Sequence, residues 1–333
     1  MLVARPPAGP PARHDLHLVR ATRRTFAGPA EFLAEAGNRA RVGEYLADMA
    51  RPHGLQVPAT MFAAAPSAAL GHSYGEMAQA LITPLVPADE PVGLLVLAFS
   101  VHDLRPGRQT AAYLSHVTPG APMAFAICDQ GSAAAFSGLR IAREYAASAG
   151  IGRALLVVVE QAALPYASPV PVPARHQGIA MLYAGAAVPG GNAAAAADAG
   201  APAQARDAGV VSRARVAGVR QHPGVPAAAA ADLAAADLAD LAAGQDQVRL
   251  VLSNAAAAVW ATPAAGRVRV MPPGQPSTGV WWGLIDELSG QAGPGLVVAA
   301  DYDPHLHYLC LTALATCASP PSTSAPLTGF ADH

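Results

Sequence analysis

Residues 125–142, "FAICDQGSAAAFSGLRIA", hold two side chains able to act as nucleophiles, Cys128 and Ser132. The stretch reads as a short strand, a tight turn and a helix that is apolar nearly all round, with Ser132 at the helix start. Backbone N–H groups left unpaired there make half of an oxyanion hole. A thiol at a helix start gains thiolate character from the helix dipole. A serine hydroxyl is a far weaker acid and needs an adjacent base. The stretch "DYDPHLH", residues 301–307, offers one: His305 or His307, oriented by Asp301 or Asp303. With Ser132 they would form a Ser-His-Asp constellation, which is acyl-transfer chemistry. The plainer reading of the same letters is a polar turn beyond a strand, and of Cys128 a small buried hydrophobe.

Weaker signals compete. "GHSYG", residues 71–75, matches the letters of a nucleophile elbow, but no buried strand precedes it. His102 and Asp103 follow a buried strand and read as structural. His176 in "HQG" reads as a packed or subunit-contact residue. Arg213, Arg215 and Arg220 cluster in "SRARVAGVR" and read either as a solvated face or as a dock for an acidic carrier.

Composition narrows the chemistry. All 21 basic residues are arginines, which excludes lysine Schiff bases and a P-loop lysine. A net charge of −2 gives no electrostatic case for nucleic acid. The three cysteines, Cys128, Cys310 and Cys317, show no metal-type spacing, so no metal is expected and a reducing, cytoplasmic setting is. No apolar run suits a signal peptide or a membrane span.

The elements that would position these residues alternate between strand and helix. Apolar runs at 91–101, 123–127, 153–161 and 178–185 read as buried strands, and 29–50, 74–86, 106–117 and the segment from Ser132 as helices. A Gly/Ala/Pro/Asp stretch then interrupts the pattern. It restarts with a helix at 226–244, a strand at 247–255, a helix at 277–290 and strands at 293–303 and 305–314. The expected division is a first half over 1–190, a connecting loop over 191–209, a second half over 210–318 and a frayed tail over 319–333.

"QGSAAAFSGLRIAR" followed by "GRALLVVVEQ" resembles the nucleophile region of the thiolase superfamily, in particular ketoacyl synthase III and the chalcone-synthase-like enzymes. "PPGQPSTGVWWGLIDEL" resembles the second-half turn and helix of that family, and "ADYDPHLHYLCLTAL" its closing turn and last strand. The resemblance covers residues 74–315. It implies an α/β fold of two duplicated halves in a layered α-β-α-β-α sandwich. It also implies that Ser132 stands at the nucleophile position, with Ser253 and Gln275 where the family has histidine and asparagine. Cys128, Asn254 and Ser277 would line the substrate site beside them. Decarboxylative condensation needs that histidine and asparagine, and Ser253 and Gln275 are poor at proton transfer.

Two readings follow, with a true condensing enzyme third. In the first, the chain is an acyltransferase that loads Ser132 from an acyl carrier protein or CoA thioester, needing no cofactor of its own beyond that acyl-CoA or phosphopantetheine-linked substrate. In the second, it is an inactive subunit paired with an active ketosynthase. Either way a homodimer or heterodimer is expected, joined near the nucleophile helix, because "RALLVVVE" is too apolar to stand as a free edge. No membrane or nucleic acid is expected among its partners.

Overall fold

The structure is a computed structural model that describes residues 15–28, 30–58, 61–62, 71–105, 107–164, 172–185, 208–209, 213–260, 266–290 and 293–316. The first half runs β1 (Leu16–Phe26), α1 (Ala36–Ala50), α2 (Tyr74–Ile82), β2 (Leu94–Ala98), α3 (Thr110–Val117), β3 (Met123–Ile127), α4 (Ala134–Ala149), β4 (Arg153–Glu160) and β5 (His176–Gly185). A two-residue strand, β6 (Ala208–Gly209), pairs with β1. The second half runs β7 (Ala214–His222), α5 (Ala227–Leu241), β8 (Val248–Leu252), α6 (Asn254–Val259), β9 (Arg267–Val270), α7 (Gly279–Ser289), β10 (Gly295–Asp303) and β11 (Tyr308–Thr316).

The duplication is explicit in the topology. The strand order is β3-β2-β4-β5-β1 in the first half and β9-β8-β10-β11-β7 in the second. Corresponding pairs have the same sense: β2 is parallel to β3 and β4, as β8 is to β9 and β10. β5 is antiparallel to β4 and β1, as β11 is to β10 and β7. Among the described residues, the two sheets meet where His17 pairs with Arg215 and Leu18 with Ala214.

Strands apolar on both faces require cover on both faces. On β2, Leu95 and Leu97 pack with α2 and α3, while Leu94, Val96 and Ala98 pack toward α4. On β8 and β10, Leu250, Leu252, Val298 and Ala300 pack with α5 and α6, and Val251, Val297 and Ala299 toward α7. Helices α4 and α7 therefore form a central layer between two sheets, with outer helices on each side. This is the five-layered sandwich that the family resemblance implies. Phe136 of α4 and Trp281 of α7 meet at its centre, ring centroids 4.7 Å apart.

Three expectations change. Residues 132–139 are buried all round, but Arg140 and Glu144 are exposed, so α4 is amphipathic in its second half. β4 is not a free edge: it lies between β2 and β5, which accounts for its apolar run within one chain. The "SRARVAGVR" segment contains strand β7, hidden in sequence by its small residues and arginines. Of the expected linker over 191–209, only Ala208–Gly209 is among the described residues, and the tail over 319–333 lies outside them.

Candidate functional site

The carboxyl ends of β3, β4, β8 and β10 converge on the amino ends of α4 and α7, the place where open α/β sheets carry their sites. After β3 the chain turns through Asp129 and Gly131, both with positive φ (60° and 52°), into a 3-10 turn over Gly131–Ala133. This turn buries Ser132 to 7% exposure. The Ser132 N–H donates to Asp303 Oδ2 at 3.2 Å. A Cβ at residue 131 would collide with the same oxygen, so glycine is what admits the carboxylate. Asp303 Oδ1 accepts the His305 and Leu306 N–H groups, each at 3.0 Å, closing its own turn.

Asp301 lies two residues back on the same face of β10 and is 3% exposed. Its Oδ1 accepts the Tyr302 N–H at 2.8 Å. Burial pushes its carboxyl above the ordinary range, opposed by the Ser253 and Ser132 hydroxyls that face it. Neither hydroxyl reaches Oδ2 in good hydrogen-bond geometry, and that buried oxygen has no hydrogen-bond partner. Cys310, opposite Asp301 in the β10–β11 register, has its thiol pushed well up, by burial first and by Asp301 after it. The thiol is therefore held protonated.

The two histidines expected to serve Ser132 do not bond to it. His305 and His307 are both exposed. His307 Nδ1 faces the Tyr302 hydroxyl at 3.4 Å, and its carbonyl accepts the Val225 N–H at 2.7 Å. Among the described residues, the groups facing Ser132 are thus the carboxyls of Asp301 and Asp303 and no imidazole. Ser253 caps α6, its Oγ accepting the Ala256 N–H at 3.0 Å, and Asn254 is exposed at the first position of that helix. Cys128 is exposed rather than buried, its thiol directed at Asp129 Oδ2 3.4 Å away. Burial, then Asp129, raises its pKa.

Gln275 and Ser277 turn toward a residue that sequence reasoning passed over. Glu160, at the end of β4, is fully buried. Its Oε1 accepts Gln275 Nε2 at 2.7 Å, the Thr278 N–H at 3.2 Å and the Thr278 hydroxyl, while Oε2 accepts the Ser277 N–H at 2.9 Å. The one signal was an acid closing an otherwise apolar run. The arrangement mirrors Asp303. Each half ends a central strand in a carboxylate, and each carboxylate caps the other half's central helix, Glu160 on α7 and Asp303 on α4.

The remaining candidates lie away from Ser132 or in local contacts of their own. Ser73 of "GHSYG" is buried at the start of α2. Asp103 accepts the Tyr74 and Arg105 N–H groups and the Thr110 hydroxyl. His176 packs edge-on to His72, centroids 4.8 Å apart, and its Nδ1 accepts the Ala162 N–H. Arg215 pairs with Asp15 at 3.9 Å and Arg220 with Asp240. Gln221 reaches the Ala133 carbonyl at 3.5 Å, yet Arg215 lies six residues earlier, about 20 Å along the strand. Arg213 and Arg215 thus stand at the end of the sheet remote from Ser132. Two surface concavities, the larger about 470 Å³, lie along α1, and Ser132 lines neither. Among the described residues no group of three or more His, Cys, Asp or Glu is placed to hold a metal, and no helix is long and apolar enough to cross a membrane.

No family model and no curated protein matches the sequence. Solved structures do match the fold. The acyltransferase ChlB3 superposes with a TM-score of 0.56 at 17% identity, over 91% of this chain and 98% of its own. The ishigamide ketosynthase/chain length factor gives 0.51 at 11% identity, over 91% and 100%. The 3-oxoacyl-(acyl carrier protein) synthase III of Pseudomonas aeruginosa PAO1 gives 0.50 at 14%, over 92% and 100%.

Proposed function

The chain has the thiolase-like fold, and from that premise we propose that it is a non-catalytic, ketosynthase-like subunit that works paired with an active ketosynthase. The observation that carries this reading is Asp303 Oδ2 on the Ser132 N–H at 3.2 Å. Acyl transfer through Ser132 would place a developing oxyanion against helix-start N–H donors. Here a carboxylate takes up that donor and a second carboxylate, Asp301, lies beside it. Both set acceptor oxygens where a developing oxyanion needs donors, and among the described residues no imidazole is bonded to Ser132 to take its proton.

The pairing edge in this reading is β3. It ends one side of the sheet, carries no charged residue and leaves Met123 47% exposed. β9, the opposite edge, carries Arg267 and Arg269, which discourage strand addition. One of the structural neighbours is a ketosynthase/chain length factor, and a pairing of that kind is the assembly proposed here. A cytoplasmic setting goes with it.

A second reading is supported by one observation: the Ser132 hydroxyl faces buried Asp301, whose carboxyl is raised by burial and so closer to a base's working range. In that reading Asp301 takes the Ser132 proton, Oγ forms the ester, and the carrier or CoA thiol leaves with a proton. The ester then passes to an alcohol, amine or thiol. Intact-protein mass after incubation with acyl-CoA and with an acyl carrier protein separates the two. No adduct is expected. An acyl adduct absent from Ser132→Ala would replace the first reading with the second.

A further inference from the structure

Glu160 is a fully buried carboxylate held by neutral hydrogen-bond donors. Its four hydrogen bonds come from residues 275–278 of the other half. Uncompensated charge in such a place is costly, and neutral donors offset only part of it. The site also reaches further. Ser277, whose N–H holds Glu160 Oε2, faces Ser100 Oγ with its own Oγ at 3.1 Å. Ser100 in turn donates to the Gly131 carbonyl at 3.1 Å. A continuous polar chain therefore runs from Glu160 through Ser277 and Ser100 to the turn that holds Ser132.

We propose that Glu160 and residues 275–278 form a proton-operated clasp between the two halves, closed when Glu160 carries its proton and loosened when it does not, and that its state is passed to the Gly131–Ala133 turn. The proton belongs on Oε2, which accepts one bond where Oε1 accepts three. Opening exposes Glu160 to water, where its pKa returns to the ordinary carboxylate range. Burial holds it at about 7 in the closed form, against the Thr278, Ser277 and Gln275 bonds that lower it. The closed form therefore binds the proton more tightly, and rising pH favours opening.

Other titratable groups border the clasp. On β5, Gln177 sits opposite Glu160, next to His176, and Arg175, just before the strand, bonds Gln275 through both its N–H and its carbonyl. Beyond β4, His72 is lowered to about 4 by burial first and His176 next, and so stays neutral through the window. His102 is also lowered by burial. On the second half, Asp301 and Asp303 face the Ser132 end of the chain. Of these, His176 is the one to separate from Glu160.

The test is amide hydrogen exchange by mass spectrometry between pH 5 and 8 on the full chain, corrected for the intrinsic pH dependence of exchange. Protection of residues 275–278 and of 131–134 should fall together as pH rises from 5 to about 7, by up to about ten-fold per pH unit, and level off above that. In Glu160→Gln, which keeps the side chain's shape, both profiles should be flat, while His176→Gln should keep the wild-type profile. A flat wild-type profile, or one unchanged by Glu160→Gln, overturns the proposal. So does a fall confined to 275–278, for the coupling to Ser132. If Glu160→Gln fails to fold, His176→Gln and the wild type still decide: loss of the profile in His176→Gln would assign the proton to the histidine.

Discussion

At the scale of single residues, the carboxylates around Ser132 carry the clearest consequences. Asp303 accepts three backbone N–H groups, so Asp303→Ala should cost about 2 kcal/mol in urea unfolding. The same change frees the Ser132 N–H. Asp301 bears the opposite sign. Its carboxyl is raised by burial, so the folded chain keeps that proton to higher pH than the unfolded chain does. Its contribution is full below the ordinary carboxylate range and is lost as pH rises through the folded value. Asp301→Asn should therefore be more stable than wild type by about 1–2 kcal/mol at pH 8, with a smaller gap at pH 5. Equal gaps at both pH values would mean the buried charge is not what limits stability there. The sequence brought Ser132, Asp301 and Asp303 to attention by type alone. It could not assign the imidazoles, because whether His305 points in or out depends on the Asp303 turn, a matter of backbone geometry rather than of residue type.

At the scale of elements, α4 and α7 each carry a glycine four residues after their first, Gly138 and Gly283, facing the sheet beneath. A Cβ on Gly138 would lie 2.7 Å from Leu156 Cδ1 and 3.2 Å from Val96 Cγ1. One on Gly283 would lie 2.7 Å from Val251 Cγ1 and would overlap the Met271 sulfur. The leucine end can swing aside, whereas the valine is β-branched and held in a strand. Gly283→Ala should accordingly cost about 2–3 kcal/mol by denaturant titration and Gly138→Ala about half of that. Strands β2, β4, β5, β8, β10 and β11 were legible because both their faces are apolar. β7 and β9 were not: an alternation of arginine with alanine, glycine or valine says little without knowing which face is covered. Glu160 was legible only as an odd letter at a strand end, since its partners lie more than a hundred residues away.

At the scale of the whole molecule, the two sheet edges are unequal, and assembly should follow that inequality. Ala126 is exposed on β3, so Ala126→Asp should leave the monomer folded while shifting light-scattering mass toward one chain, or releasing a co-purified ketosynthase. Assembly insensitive to that change would move the interface elsewhere. The duplication itself was legible as a restarted pattern, although the carboxylates exchanged across it were not. Among the described residues, the halves share two residue pairs of sheet, His17 with Arg215 and Leu18 with Ala214. The other strand pairs among the described residues close within 16–209 or within 214–316. The chain leaving a ribosome can thus complete its first sheet before the second is made, and must then wait with α4 uncovered. Refolding should show a fast phase of sheet formation and a slower one in which α4 docks on α7, the latter visible in tryptophan emission because Trp281 lies against Phe136. In the interval the apolar face of α4 is the surface a chaperone would hold.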